Sequence, residues 1–290
     1  MMHTLRIRPK PPNRAGNPLL LPVLYRFSRV DVNRVATGPF ALRPKTGRPR
    51  RVVWPSTSEL AWGMASDKTA ILLAVVLVTM TVLSAGVLQP IDNLVNTLPR
   101  PFEADIREFL ILWPDTVASR FVALPVLGVV SLHLAYHHRS WRPIVLAGGG
   151  GFVMVCLVAT MKVVLARSHP RTFDPSFFSG TGDVSFPSGH GANAILIYGL
   201  VLYMIVRYRA ARPHIVRRLA YCIAAIAVLQ SMVSVYLHFH WFTDLVAGMI
   251  AGALALRLTM RLDEMIPEGR TAYWWPWYGR RADGEPVEQP

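Results

Sequence analysis

Apolar residues in this chain do not alternate with polar ones at the short period of a soluble strand or the narrow stripe of a soluble helix. They gather into uncharged runs that approach the roughly 20 residues a helix needs to cross a bilayer. Residues 69–88 (TAILLAVVLVTMTVLSAGVL) form the longest. A second run, 121–136, lies between Arg120 and the polar group His137, His138 and Arg139, whose side chains can snorkel to an interface. A third, 143–161, contains Gly148 to Gly151 and closes on Lys162. Runs at 191–206 and 219–237 flank a basic connection holding Arg207, Arg209, Arg212, Arg217 and Arg218. The last, 245–256, is short, and its Gly248 and Gly252 form a small-xxx-small pair suited to close helix packing. The pattern predicts an all-α chain, a bundle of six transmembrane helices, with both termini on one side.

Charge orients the bundle. Thirteen Lys or Arg precede or open the first run, up to Lys68. The connection between the first two runs instead carries Asp92, Glu103, Asp105, Glu108 and Asp115 against Arg100 and Arg107. By the positive-inside rule the termini are expected in the cytoplasm. The connections 163–190 and 238–244 are then extracytoplasmic, and the chain is a multi-pass protein of the cell membrane. Domain organisation follows: 1–65 a disordered basic cytoplasmic tail, 66–265 the six-helix membrane domain, and 266–290 a cytoplasmic C-terminal tail with an interfacial aromatic anchor at 274–278. Met64, just before the first run, is an alternative start that would make the preceding residues a gene-model extension.

Composition agrees. Of 290 residues 52% are apolar and 17% charged, which excludes disorder for the chain as a whole. The formal charge of +14 would point a soluble chain to nucleic acid. Here the basic residues flank apolar runs, where anionic headgroups attract them, and no nucleic-acid partner is expected. Cys156 and Cys222 both fall inside apolar runs and imply neither a disulfide nor a metal cluster.

Ionisable groups at span ends on one face are the informative ones, because a charge at the bilayer centre costs about 2.5–3.5 kcal/mol on insertion scales. Lys162, Arg167, His169 and Arg171 follow the third run; Ser188 and His190 open the fourth; His238, His240 and Asp244 join the fifth and sixth. Antiparallel helices bring these three ends together. Lys and Arg supply fixed positive charge and a helix start supplies free amides, a combination that suits a phosphate. Within Ser185-Phe-Pro-Ser-Gly-His190, Pro187 fits a first helical position, Gly189 lets an anion approach the backbone, and Ser188 adds a hydroxyl. His190 and His240 are placed to attack phosphorus and protonate a leaving oxygen. Asp244, four residues beyond His240, is spaced to orient it. A zinc site from His238, His240 and Asp244 lacks an evident fourth ligand.

Lys162, Pro187-Ser188-Gly189-His190 and His240-Trp-Phe-Thr-Asp244, in this order and at these span ends, resemble the type 2 phosphatidic acid phosphatase (PAP2) family, which shares its phosphate site with vanadium haloperoxidases. The likeness covers about residues 69–262. It implies that His240 is a nucleophile that becomes phosphohistidine, Asp244 its orienter and His190 the acid for the leaving alcohol. It further implies that Lys162 and Ser188 with the Gly189 amide hold phosphate oxygens, without metal or cofactor. Two arginines of the family pattern are absent: His169 stands at the end of the first motif, with Arg167 and Arg171 beside it, and Ser234 stands in the third. Arg167, His169 and Arg171 are therefore added to the expected phosphate-binding set. The expected function is hydrolysis of a lipid phosphate or pyrophosphate, of polyprenyl or glycerolipid type. A lipid phosphotransferase and a catalytically altered headgroup-binding relative are the alternatives.

Overall fold

A computed structural model of the chain describes residues 55–180, 182–209 and 211–266. The expected N-terminal tail up to residue 54 and the aromatic anchor at 274–278 lie outside the described residues. The described part is helical: α1 (Thr57–Ala65), α2 (Lys68–Ser84), α3 (Gln89–Asn96), α4 (Glu103–Leu110), α5 (Arg120–His138), α6 (Arg142–Leu165), α7 (Gly189–Arg209), α8 (Pro213–Tyr236) and α9 (Phe242–Met265).

Five helical segments are each long and apolar enough to cross a membrane, 103–138, 142–172, 189–209, 213–236 and 242–265; α1 with α2, bent by 62° at their junction, makes a sixth. The apolar runs locate the long helices well, since burial in lipid decides both. The short run 245–256 extends in both directions into α9, whose residues at the two ends are held by protein partners.

Two details depart from the sequence reading. Residues 57–65, assigned to the tail, form α1, because Ser56 and Glu59 make a reciprocal capping box: Glu59 N–H donates to Ser56 Oγ at 3.2 Å, and Ser56 N–H to Glu59 Oε2 at 2.7 Å. The first run ends its helix at Ser84, and the remaining residues turn into α3. Cys156 and Cys222 are free and exposed on α6 and α8.

α7 is the central element, packed against α5, α6, α8 and α9. Its buried face, from Gly191 to Met204, fills the core with Leu196, Ile197 and Leu200. α9 lies against it at unusually short range. A Cβ at Gly252 would fall 2.5 Å from the Ala192 carbonyl, and one at Gly248 would collide with the Ser188 carbonyl. The small-xxx-small pair thus allows the two backbones to touch, and Ser188 N–H donates to the Asp244 carbonyl at 2.9 Å across the join.

At the far end of the bundle a buried carboxylate, Asp263, ties three helices. It accepts from Arg142 Nε at 2.5 Å and from the Tyr203 hydroxyl at 2.6 Å, and pairs with Arg207 at 3.0 Å. Between α1 and α2, Asp67 caps α2 through the Ala70 amide and pairs with Arg257 of α9 at 2.5 Å.

Candidate active site

The near end of α7 begins with a cap. Ser188 Oγ accepts from the Gly191 amide at 3.3 Å, leaving the hydroxyl proton free to donate. Pro187 therefore sits two residues before the first helical residue, outside the first-turn position expected for it, joined to Phe186 by a cis bond. The amides of Gly189 and His190 have no partner among the described residues, as first-turn amides do not. A Cβ built on Gly189 meets nothing within 4 Å. The space beside Gly189 is therefore open, next to two amides without partners among the described residues.

His190, on the first turn of α7, and His240, in the connection before α9, place their ring centroids 6.3 Å apart. His240 lies just before α9, and its side chain is 11% exposed. Its Nδ1 is buried, 3.6 Å from Asp244 Oδ2, and has no hydrogen-bond partner among the described residues. That is an ion-pair distance, longer than a hydrogen bond, as catalytic contacts often are before substrate draws them together.

Asp244 is entirely buried and held by two other groups. Oδ1 accepts from Arg167 Nη1 at 2.6 Å, and Oδ2 accepts from the Trp241 amide at 3.0 Å. Arg167 is itself fully buried. Its remaining donors go to Asp92 at 2.6 Å, Thr243 Oγ1 at 2.7 Å and the Pro175 carbonyl at 3.1 Å. Asp92 in turn accepts from the amide and hydroxyl of Thr243. Every nitrogen of the guanidinium is thus taken by protein, which places Arg167 behind Asp244. The guanidinium thus bridges the two buried carboxylates and fixes their positions relative to each other.

Lys162, in the last turn of α6, reaches back to the Val184 carbonyl at 2.5 Å, retaining two donors. His169 caps the turn Pro170–Thr172, with Nε2 at 3.8 Å from Asp183. Arg171 is exposed, its guanidinium carbon 6.0 Å from the centroid of the Phe239 ring. The structure thus gathers Lys162, Ser188, Gly189, His190, His240 and Asp244 around one end of α7 and α9, with Arg167 behind Asp244 and Arg171 at the rim.

Several contributors carry no motif. Asp115, buried in a π-helical turn (Ile111–Asp115) that contains Pro114, presents Oδ2 at 3.6 Å from His190 Nε2. Its Oδ1 faces Gln230 Nε2 at 3.3 Å and Ser234 Oγ at 3.4 Å. No cation stands where the third motif would put arginine: Ser234 is buried there, bonded to Gln230 at 2.5 Å. Asn96 of α3 fixes His238: its Nδ2 donates to the Pro170 carbonyl, so its Oδ1 accepts from His238 Nδ1 at 2.8 Å. Burial, reinforced by the nearby Arg100, lowers the pKa of His238. The excess of carboxylates before the second run was the available signal for Asp92 and Asp115, but it suggested only sidedness.

Residues 69–267 match the PAP2 superfamily. The chain belongs to that superfamily. It is a multi-pass membrane phosphatase of the PAP2 type, a hydrolase. Over 162 residues it is 29% identical to phosphatidylglycerophosphatase B of Bacillus subtilis (strain 168), an alignment covering 53% of this chain and 73% of that protein. Its fold resembles the crystal structure described as the first transmembrane PAP2-type phosphatidylglycerolphosphate phosphatase from B. subtilis. The TM-score is 0.57 at 20% identity, over 69% of this chain and 98% of that one.

Proposed function

We propose that this PAP2 phosphatase hydrolyses the phosphate ester or diphosphate of a membrane lipid through a phosphohistidine on His240, at the extracytoplasmic face. The supporting observation is the pair of imidazoles, centroids 6.3 Å apart, beside the open space in front of the Gly189 amide. The relatedness to a phosphatidylglycerophosphatase favours a glycerolipid monophosphate among the substrates.

The scissile phosphate sits against the free amides of α7, the Ser188 hydroxyl and Lys162. With Nδ1–H directed to Asp244, the Nε2 lone pair of His240 attacks phosphorus. The bond from phosphorus to the lipid oxygen breaks, and His190 gives that oxygen its proton. Water then attacks the phosphohistidine, His190 takes a proton from it, and phosphate leaves with His240 restored. Arg167 acts through Asp244 as a positioning residue. The extracytoplasmic assignment rests on the charge asymmetry of the connections.

Purified protein assayed with chelator present against glycerolipid and polyprenyl phosphates is expected to release phosphate, and His240→Ala to abolish release together with any acid-labile phosphoenzyme. Substantial turnover by that variant refutes the covalent mechanism. An added alcohol appearing in the phosphorylated product reassigns the chain as a phosphotransferase.

A further inference from the structure

Beside the catalytic cluster lies a separate cleft of about 350 Å³, lined by Glu103, Arg107, Arg171, Phe173, Leu237 and His238. None of the groups that face the scissile phosphate lines it. Its charge is unbalanced. Arg107 pairs with Glu103 at 2.7 Å, whereas the guanidinium of Arg171 has no carboxylate partner among the described residues. Arg100, close by, already donates to the carbonyls of Asn96, Leu98, Val95 and Val235. One cation is left over.

The two lining arginines share one platform. Their guanidinium carbons lie 5.7 Å (Arg107) and 6.0 Å (Arg171) from the centroid of the Phe239 ring. Stacking on an aromatic face fixes a guanidinium while leaving its edge donors open, the arrangement that binds phosphate oxygens bidentately. His238 adds a polar edge, since its Nδ1 is bonded to Asn96 and its Nε2 has no partner among the described residues. Phe239 separates His238 in the cleft from His240 in the catalytic cluster, and two residues of chain span at most about 7 Å. The cleft and the catalytic cluster are neighbours through His169 as well, which lies close enough to interact electrostatically with both Arg171 and His240.

We propose that this cleft is a second anion subsite, which takes a phosphate of the substrate other than the one removed. The preferred substrates are then lipids carrying two acidic phosphates near one another, either as a diphosphate or as a phosphodiester bearing a further terminal phosphate. This rests on the lipid phosphatase reading and narrows it. Lipids with a single phosphate fill only the catalytic half.

The test uses the full-length protein in detergent with His240→Ala to stop turnover, titrated with a lipid diphosphate, phosphatidylglycerol phosphate, phosphatidic acid and inorganic phosphate. Both two-phosphate lipids are expected to bind at least tenfold more tightly than phosphatidic acid. Arg171→Gln on that background is expected to reduce the ratio to near one, and Glu103→Gln to increase it. The same loss for all lipids, or no loss for any, overturns the subsite. Arg171-dependent binding of inorganic phosphate alone as tight as that of the lipids assigns the cleft to free phosphate and overturns the substrate preference, as does displacement by added phosphatidylglycerol. Turnover by the unmodified chain separates the two readings. Phosphate release without an Arg171-dependent preference removes the subsite only, and Arg171-dependent binding without release removes the hydrolysis only.

Discussion

Asp115 Oδ2 lies 3.6 Å from His190 Nε2, across the join between α7 and the π-helical turn that follows α4. The carboxylate is aimed by Gln230 and Ser234, both on α8 and both buried. Where the family pattern has an arginine, this chain has a hydroxyl that steadies the carboxylate beside His190.

Asp115→Asn is accordingly expected to lower kcat about ten- to a hundredfold with little change in KM, part of the 10²–10⁴ that a positioned proton donor supplies. The measurement is steady-state phosphate release from an alkyl and from an aryl phosphate. An aryl oxide leaves without help, so the variant is expected to lose much less on the aryl substrate. Equal losses on both would mean that Asp115 supports only the fold.

Arg167→Ala leaves Asp92 and Asp244 facing each other in a buried site, and is expected to cost about 3–5 kcal/mol of stability as well as activity. Arg167→Lys keeps the charge but lacks the fork that reaches Asp92, Thr243 and Asp244 together, so its stability is expected to fall between the two. Thermal unfolding in detergent, followed by phosphate release on the folded fraction, gives both quantities.

Two glycines at the α7–α9 join are expected to behave oppositely. At Gly248 a methyl group meets the backbone of Ser188, so Gly248→Ala is expected to destabilise by roughly 1–3 kcal/mol and to displace the start of α7. At Gly189 a methyl group meets open space, so Gly189→Ala folds normally and projects into the volume assigned to phosphate. A raised KM with unchanged melting temperature is the expected signature of the second.

The Asp67–Arg257 pair ties the α1–α2 junction to α9. Asp67→Ala is expected to cost roughly 1.5–3 kcal/mol, read from thermal unfolding in detergent.

Much of this architecture is legible in the sequence because lipid and helix impose the same demand: an apolar run long enough to span is also a helix. The helix starts at Gly189 and Phe242 are legible because the Ser-Gly-His and His-Trp-Phe-Thr-Asp segments interrupt apolar runs with chemistry. α1 was legible as well, through Ser56-x-x-Glu59, but Pro and Ser around it resemble a tail. Asp92, Asp115 and Gln230 were not, since their distant partners stand 75 to 151 positions away and nothing local distinguishes a carboxylate that will be buried from one that faces solvent. Arg167 shows the same limit: its spacing from Lys162 points to phosphate, and only the position of Asp92 reveals that its donors are already engaged.

The bridge formed by Arg167 also concerns timing. Asp92 enters the membrane region in the first third of the chain, Arg167 after the middle and Asp244 near the end, with 75 and 77 positions between successive partners. Asp244 is fixed beside His240 only when all three have met. A chain still emerging from the ribosome, or one whose last helix has yet to insert, holds His190 without an aligned His240 and, by the proposed mechanism, is inert towards the lipids around it. Competence therefore arrives with the final helix, and phosphatase activity itself reports that insertion is complete.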